Sequence, residues 1–511
     1  MPGTPLRVDA RHQGKRGEGM KYILAIDQGT TGSRAVVYDK KGLEVVSHYN
    51  EFKQYFPRPG WVEHDADEIW ESVNKSIQNV LSKVSFDKIE AIGITNQRET
   101  VVLWDRSTGK PVTKAVVWQC RRTADRCEKI KHNKKLGEKI FQKTGLPVDA
   151  YFSASKIEWL LRSHPNLAKK AKNGDIVFGT MDAWLLWKLT GGNTHATDYT
   201  NASRTMLFNI NTKKWDEELF ELFGVPRAMA PEVKASFGVF GVTEKIGRLG
   251  AGIPISGIAG DQQAALFGQA CFDKGDIKNT YGTGCFMLLN SGTKKPKGKN
   301  GLIITLGCGK KGEPVYVLEG AIFVAGAAIQ WLRDYLGVLS SSGQSLEMAR
   351  KVKDNGGVYF VPALVGLGAP HWKSDARGLI TGITRGTSKE HIVRAAIEAM
   401  CYQTKDVLDV MQRETGVNVR SLRIDGGAAK NDFLCAFQAD ILGMDVVRPR
   451  VTETTSLGAA YLAGLGTGFW KNTREIKKCW KANKVFKPSM STAKRKALIA
   501  GWEKAVARTI L

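Results

Sequence analysis

From Tyr22 to Thr95 the chain sets out three apolar strands, one long amphipathic helix and a fourth strand, and this β-β-β-α-β order is its tightest constraint. The strands Tyr22 to Asp27, Ala35 to Asp39 and Glu44 to Tyr49 are joined by Asp27-Gln-Gly-Thr-Thr-Gly-Ser33 and Lys40-Lys-Gly42. Such short polar turns predict an antiparallel meander on one edge of a sheet. The helix spans Asp65 to Val84, with Ile69, Val73, Ile77, Val80 and Val84 in one stripe and Asp65 with Glu68 in a D-x-x-E capping arrangement. The buried strand Ile89 to Thr95 follows. A dinucleotide-binding βαβ repeat alternates strand and helix from its start, so this order points to a different nucleotide fold.

At 511 residues, with 42% hydrophobic and 24% charged, the chain is long enough for two large domains or a duplicated fold. After the fourth strand come a hairpin across Asp105 to Lys110, a helical region beyond Arg121, a strand at Ile176 to Gly179 and a helix from Asp182 to Leu189 stopped by Gly191-Gly192. A strand and turn at Ile255 to Gly260 begin the pattern again, and Asn279 to Leu289 reads as a glycine-containing strand pair. Further on, a helix from Thr387 to Thr415 opens with the capping box Thr387-x-x-Glu390 and leads to a strand at Ser421 to Ile424 and the turn Asp425-Gly-Gly427. The expected class is α/β, with a disordered extension over residues 1–19, a first domain over 20–270 and a second over 271–511. The order of elements in the two halves invites a duplication, although their sequence identity is weak.

The balance of 75 Lys+Arg against 50 Asp+Glu gives a net charge of +25, a value that suggests an anionic partner. About ten of those units fall between Lys471 and Leu511. No aromatic-interleaved basic ribbon accompanies them, so a solvated basic face is expected and a nucleic-acid partner is not. The eight cysteines are scattered without CxxC or zinc-ligand spacing, which fits reduced thiols in a cytoplasmic protein. The most apolar run, Ala321 to Leu332, falls short of the roughly 18 residues that span a bilayer, and no membrane association is expected.

Six groups of residues carry chemistry. The turn in Ala25-Ile-Asp-Gln-Gly-Thr-Thr-Gly-Ser-Arg-Ala35 offers backbone N–H groups and hydroxyls to phosphate oxygens, and Asp27 offers a carboxylate to hydrated magnesium. Arg98 and Glu99 in Asn96-Gln-Arg-Glu-Thr100 place donors and acceptors side by side, a pairing suited to vicinal hydroxyls. Trp118, Tyr151 and Phe286 stand in polar company, where aromatic rings line the carbon side of a polyol and a phenol binds its oxygen. Asp261 lies where the small-residue turn of Gly257-Ile-Ala-Gly-Asp-Gln-Gln263 enters an apolar helix, a position for a helix cap, a catalytic base or both. The glycine turns Tyr281-Gly-Thr-Gly284 and Asp425-Gly-Gly-Ala-Ala-Lys-Asn431 let backbone approach phosphates or a base.

With these residues in place the chain resembles the glycerol kinases of the FGGY carbohydrate kinase family, within the actin, hexokinase and heat-shock chaperone ATPase superfamily. The likeness runs from about Lys21 to Trp470 through AIDQGTT, GWVEHD, GITNQRET, VVWQCRRT, TNASRT, GIAGDQQAALFG, KNTYGTGCFML, AIQWLRD and GLGAPHW. It implies two RNase H-like (actin-like ATPase) domains, mixed sheets flanked by helices and an interdomain cleft. The implied activity is ATP-dependent phosphorylation of glycerol, with Asp261 as the base and Arg98, Glu99, Tyr151, Asp261, Gln262, Trp118 and Phe286 around the polyol. Thr30, Thr31, Gly32 and Arg34 would meet the ATP phosphates, and Thr283, Gly326, Gln330, Gly427 and Asn431 would line the nucleotide. Asp27 would hold Mg²⁺ through water, and a homodimer or homotetramer is the implied assembly.

Three stretches depart from the family pattern. Gly32 stands where a Ser is usual, leaving only backbone there, and Lys373-Ser-Asp-Ala-Arg377 replaces the usual Asp-Pro-Tyr-Ala-Arg. Arg248 to Gly252 lacks the Arg of the fructose 1,6-bisphosphate loop, so that regulation is not carried over. The alternatives weighed are another FGGY kinase acting on a pentulose or erythritol, a scaffold ATPase of the superfamily, which needs no Arg98-Glu99 pair, and a nucleic-acid binder driven by charge alone.

Overall fold

The computed structural model describes residues 20–298, 301–371, 373 and 375–511; the expected extension over residues 1–19, and Trp372 and Ser374 of the variant loop, lie outside the described residues. In chain order the framework of the first half is β1 (Tyr22–Gln28), β2 (Gly32–Tyr38), β3 (Glu44–Glu51), α1 (Ala66–Leu81), β4 (Ile89–Asn96), β5 (Phe237–Val242), β6 (Pro254–Gly260) and α2 (Asp261–Gly268). The second half supplies β7 (Ile277–Tyr281), β8 (Cys285–Gly292), β9 (Ile303–Cys308), β10 (Pro314–Ile322), α3 (Gly326–Asp334), α4 (Lys389–Thr415), β11 (Ser421–Asp425), α5 (Asp432–Leu442), β12 (Asp445–Pro449), α6 (Thr454–Thr467) and β13 (Ala482–Phe486).

The first sheet has the order β5-β6-β4-β1-β2-β3 and the second β9-β10-β8-β7-β11-β12-β13. β1, β2 and β3 form the expected antiparallel meander, while β4 and β6 run parallel beside β1. In the second sheet β7, β8 and β10 are antiparallel, and β11 and β12 run parallel beside β7. Antiparallel strands close the far edges, β5 in one sheet and β13 in the other. Both sheets thus place a meander on one side of their first strand and two parallel strands on the other, so the repeat suggested by element order is a repeat of topology.

The alternation within β1 shows why it is a central strand. Leu24 and Ile26 join Ile69, Val73, Ile77 and Val80 of α1 in one core, and Ile23 and Ala25 join Leu457, Ala460 and Leu462 of α6 in another. Successive side chains point to opposite faces, and here both faces are covered. Each fully buried Ile or Val of the α1 stripe contributes about 1.5–3 kcal/mol.

Two expected capping boxes form differently. Asp65 does cap α1, accepting from Asp67 N at 2.9 Å and Glu68 N at 3.2 Å, but Glu68 turns away to accept from the Tyr55 hydroxyl at 2.5 Å. At α4 the cap is Ser388, whose N–H donates to Nδ1 of His391 at 3.2 Å, and the Thr387 hydroxyl instead accepts from Thr384 N at 2.9 Å. In both places a neighbouring polar group outcompetes the local pairing read from spacing. Val84 lies beyond the end of α1 yet is buried in the same core.

α6 crosses back from the second half to lie on the first sheet. A Cβ at Gly458 would meet Ala264 O at 1.8 Å, and one at Gly93 would meet Ala459 O at 2.1 Å. Only glycine permits this backbone-on-backbone approach, which fixes α6 against α2 and β4. Among the described residues no helix is long and apolar enough to cross a membrane. All eight cysteines are free, seven of them buried.

Candidate active site

β1, β4 and β6 run in the same direction, so their carboxyl ends meet on one rim of the first sheet, where ligands bind in open α/β sheets. Asp27 stands at that end of β1, Arg98 and Glu99 follow β4, and Asp261 opens α2 directly after β6. The helix cap is Gly260 rather than Asp261, which is the first helical residue and accepts from its neighbour Gln262 N at 2.7 Å. The Asp261 carboxylate is thereby released from capping. It faces Nε of Arg98 at 3.0 Å and remains about 32% exposed. Burial pushes its pKa above the ordinary carboxylate range, with the Arg98 guanidinium opposing.

Arg98 is held on every nitrogen. Besides Asp261, its NH1 donates to Glu319 Oε2 at 2.5 Å and to Gln263 Oε1 at 3.2 Å, and its NH2 donates to Glu319 Oε1 at 3.2 Å. Arg204, fully buried, donates from Nε to Glu99 at 2.5 Å and from NH2 to Glu319 at 3.0 Å. Two guanidiniums and two carboxylates therefore form one buried network in which Glu319, on β10, ties the second sheet to the rim of the first. Burial would lift the Glu319 carboxyl, but Arg204 and Arg98 hold it at about 2. For Glu99 burial outweighs Arg204 and Arg98, and its pKa is raised.

Glu99 has φ +61°, and the N–H of Thr100 donates to Arg98 O at 2.7 Å across it. This is a γ-turn of the rarer, strained hand, worth about 1–3 kcal/mol of strain. The hydroxyl of Ser153, donating to Glu99 O at 3.0 Å, and Arg204 together hold it.

The aromatic wall forms beside this network. Trp118 meets Tyr151 edge-on with ring centroids 5.5 Å apart, and its Nε1 donates to Thr30 Oγ1 at 3.0 Å, linking the wall to the turn after β1. The Arg204 guanidinium lies 5.5 Å from the Tyr151 ring centroid. Tyr151 itself is set by Asp149, which accepts from its N–H at 2.8 Å, and by buried Lys156, which donates to the carbonyl of Tyr151 at 2.7 Å and to that of Phe152 at 3.1 Å. Burial draws the Lys156 ammonium down to about 8. Phe286 pairs in register with Thr280 and Ala321, which puts it on the same sheet face as Lys278 and Glu319. Gln262 is turned toward that face, accepting from Lys278 Nζ.

In the turn after β1 and at the start of β2, where phosphates are expected, Thr31 is exposed and Arg34 pairs with Glu453 at 2.7 Å. Burial first, then the charge of Asp261, push the Asp27 carboxyl up to about 7, against the opposing charge of Arg34. Two carboxylates that disfavour each other's ionisation at a half-open rim suit a hydrated divalent cation, which takes one or two carboxylates together with waters and substrate phosphates.

The residues expected at the nucleotide gather on the rim of the second sheet. The carbonyl of Thr283 accepts from Ala325 N at 2.9 Å and Ala327 N at 3.0 Å, and Gly326 N donates to Gly282 O at 3.1 Å, so the β7–β8 turn seats the start of α3. Gln330 is exposed one turn further along α3. Gly426 has φ +86°, and a Cβ there would meet Tyr281 O at 2.4 Å, which brings the turn after β11 against the same strand. A Cβ at Gly427 would meet only open space. Asn431 caps α5, its oxygen accepting from Phe433 N at 3.0 Å and Leu434 N at 3.1 Å, so only its amide nitrogen is available to a ligand.

Sequence reasoning missed Glu319, Arg204, Gln263, Lys278 and Glu453 as parts of this site. For Glu319 a signal existed, a lone carboxylate inside the apolar strand Pro314–Ile322. A buried charge of that kind requires a partner.

Two mixed sheets of one topology, joined by a buried ion network and carrying glycine turns at the ends of their parallel strands, define a two-domain α/β kinase of the actin-like ATPase type. The N-terminal domain of the FGGY family of carbohydrate kinases matches residues 22–268 and its C-terminal domain matches residues 277–467. The chain belongs to the FGGY family of carbohydrate kinases. It is 55% identical over 493 residues to glycerol kinase 2 of Thermotoga maritima, covering 96% of this chain and 99% of that one. The crystal structure of Plasmodium falciparum glycerol kinase with ADP superposes with a TM-score of 0.90 at 38% identity, covering 96% of this chain and 99% of that one. Gluconate kinase from Lactobacillus acidophilus shares the fold at a TM-score of 0.84 and 23% identity, covering 96% of this chain and 97% of that one.

Proposed function

We propose that the chain transfers the terminal phosphoryl group of ATP to a terminal hydroxyl of glycerol, giving sn-glycerol 3-phosphate. The observation that carries this reading is the Asp261–Arg98 pair, 3.0 Å apart beside the Trp118–Tyr151 wall, in a chain whose relatives at 55% identity are glycerol kinases. Arg98 and Glu99 orient the polyol oxygens, with the phenol of Tyr151 as a further hydrogen-bond partner. Trp118 and Phe286 cover its carbons, and Gln262 lies beside Asp261. As the hydroxyl oxygen attacks the γ-phosphorus, its proton passes to an Asp261 carboxylate oxygen, the bond from phosphorus to the β,γ-bridging oxygen breaks, and ADP leaves. Such transfer asks the protein mainly for in-line positioning and charge stabilisation.

Thr30, Thr31, the backbone of Gly32 and Arg34 would receive the phosphates, and Thr283, Gly326, Gln330, Gly427 and the amide nitrogen of Asn431 would line the rest of the nucleotide. Asp27 would hold a magnesium ion through water, the ion supplying positive charge against the phosphates. The domain division is taken at residue 270, in the connection between α2 and β7, so that Asp261 and the polyol residues other than Phe286 belong to one domain, and Phe286 with the glycine turns after β7 and β11 belongs to the other.

Two measurements test the reading. In an ADP-release assay across polyols, glycerol is expected to be the preferred substrate, and equal kcat/KM on a pentulose would overturn it. The base must be ionised to act. Because burial raises the Asp261 pKa, the acid-side loss of kcat/KM is expected to begin at a higher pH than for an ordinary carboxylate near 3.8. A profile flat down to the ordinary carboxylate range would remove Asp261 from that role.

A further inference from the structure

Gly32, like Gly29, offers the phosphate turn no side chain, yet the space above Gly32 is filled. A Cβ at Gly32 would lie 2.4 Å from both Cζ and the hydroxyl oxygen of Tyr49, and 2.6 Å from Asn50 O. Tyr49 sits on β3 in register with Arg34 on β2, so its ring reaches across the ladder and lies over Gly32. Its hydroxyl comes within 3.3 Å of Thr31 Oγ1 at the exposed tip of the turn, and the Arg34 guanidinium stands 5.7 Å from its ring centroid. Thr31 is its one hydrogen-bond partner among the described residues. A phenol can donate one bond and accept two, so capacity remains. Tyr49 is 43% exposed.

We infer that Tyr49 is a phosphate-positioning residue: its hydroxyl, delivered across the strand ladder, supplies the side-chain donor that Gly32 cannot, and reaches a nucleotide phosphate oxygen alongside Thr31 and Arg34. The inference rests on the turn after β1 being the phosphate site. It adds that Gly32 and Tyr49 act as a pair, because any side chain at 32 collides with the ring and only glycine lets the phenol lie there. The group recognised is an anionic phosphate oxygen, for which a neutral O–H donor at a strand turn is a suitable partner.

The test is Tyr49→Phe, which keeps the ring over Gly32 and removes only the hydroxyl. The expected result, read by calorimetry with ADP and by steady-state kinetics, is a loss of about tenfold in ADP affinity and in kcat/KM for ATP, with the KM for glycerol unchanged. Wild-type affinity for ADP together with wild-type kcat/KM for ATP would overturn it. A second comparison uses Tyr49→Ala, which removes the ring together with the hydroxyl. A loss of ADP affinity in Tyr49→Ala equal to that in Tyr49→Phe assigns the effect to the hydroxyl, and a wild-type affinity counts against it. Failure of the functional reading is separable: a parent protein that binds ADP through Tyr49 but phosphorylates no glycerol overturns the substrate assignment and leaves this inference standing.

Discussion

Replacing Asp261 by Asn is expected to lower kcat by about 10²- to 10⁴-fold while changing the KM for glycerol little, because the variant loses the proton acceptor and keeps an oxygen for Arg98. In the structure Arg98 Nε donates to Asp261 Oδ1 at 3.0 Å, and an Asn side-chain oxygen can accept the same bond. The polyol clamp therefore survives and the chemical step does not. Steady-state kinetics on the variant decide the matter. Turnover within a few-fold of the parent would show that the proton leaves by another route, and a kcat loss matched by a large rise in KM would make Asp261 a binding residue instead.

The second large effect is expected at Glu319, a residue outside the proposed polyol and nucleotide contacts. Its carboxylate accepts from Arg98 at 2.5 Å and from Arg204 at 3.0 Å, and all three side chains are buried. Glu319→Ala leaves two buried guanidiniums sharing Glu99 and Asp261, and breaking a buried pair by deleting one partner costs about 3–5 kcal/mol. Equilibrium unfolding should show a loss of that size, and the KM for glycerol should rise as Arg98 loses its two-pronged support. Combining Glu319→Met with Arg204→Met is expected to recover part of the stability, since an apolar replacement of a whole buried pair is often neutral. It should not recover the KM, because Glu99 then lacks the Arg204 bond that helps hold its strained turn at φ +61°. A loss below about 1 kcal/mol in Glu319→Ala would reduce the network to the value of a surface pair.

Much of this arrangement was legible along the chain. The meander from Tyr22 to Glu51, the helix over the Ile69 to Val80 stripe and the strand into Asn96 appear within three residues of their expected ends. Alternation and turn chemistry act over a few residues, and neighbours in sequence are what they depend on. The capping boxes at Asp65 and Thr387 show where such local rules lose. Tyr55 takes Glu68 from one, and His391 draws the other onto Ser388.

For Asp261 the sequence determined a carboxylate at the junction of a small-residue strand and an apolar helix, and for Gly32 it determined a turn without a side chain. Tertiary structure alone decided that Gly260 does the capping, that Tyr49 lies over Gly32, and that Arg98 pairs with Glu319, 221 positions away. The reason is physical. Desolvation dictates that a buried guanidinium or carboxylate must find an opposite charge, but not which one. That choice was made when the second sheet brought Glu319 of β10 against Arg98 and Arg204 at the rim of the first.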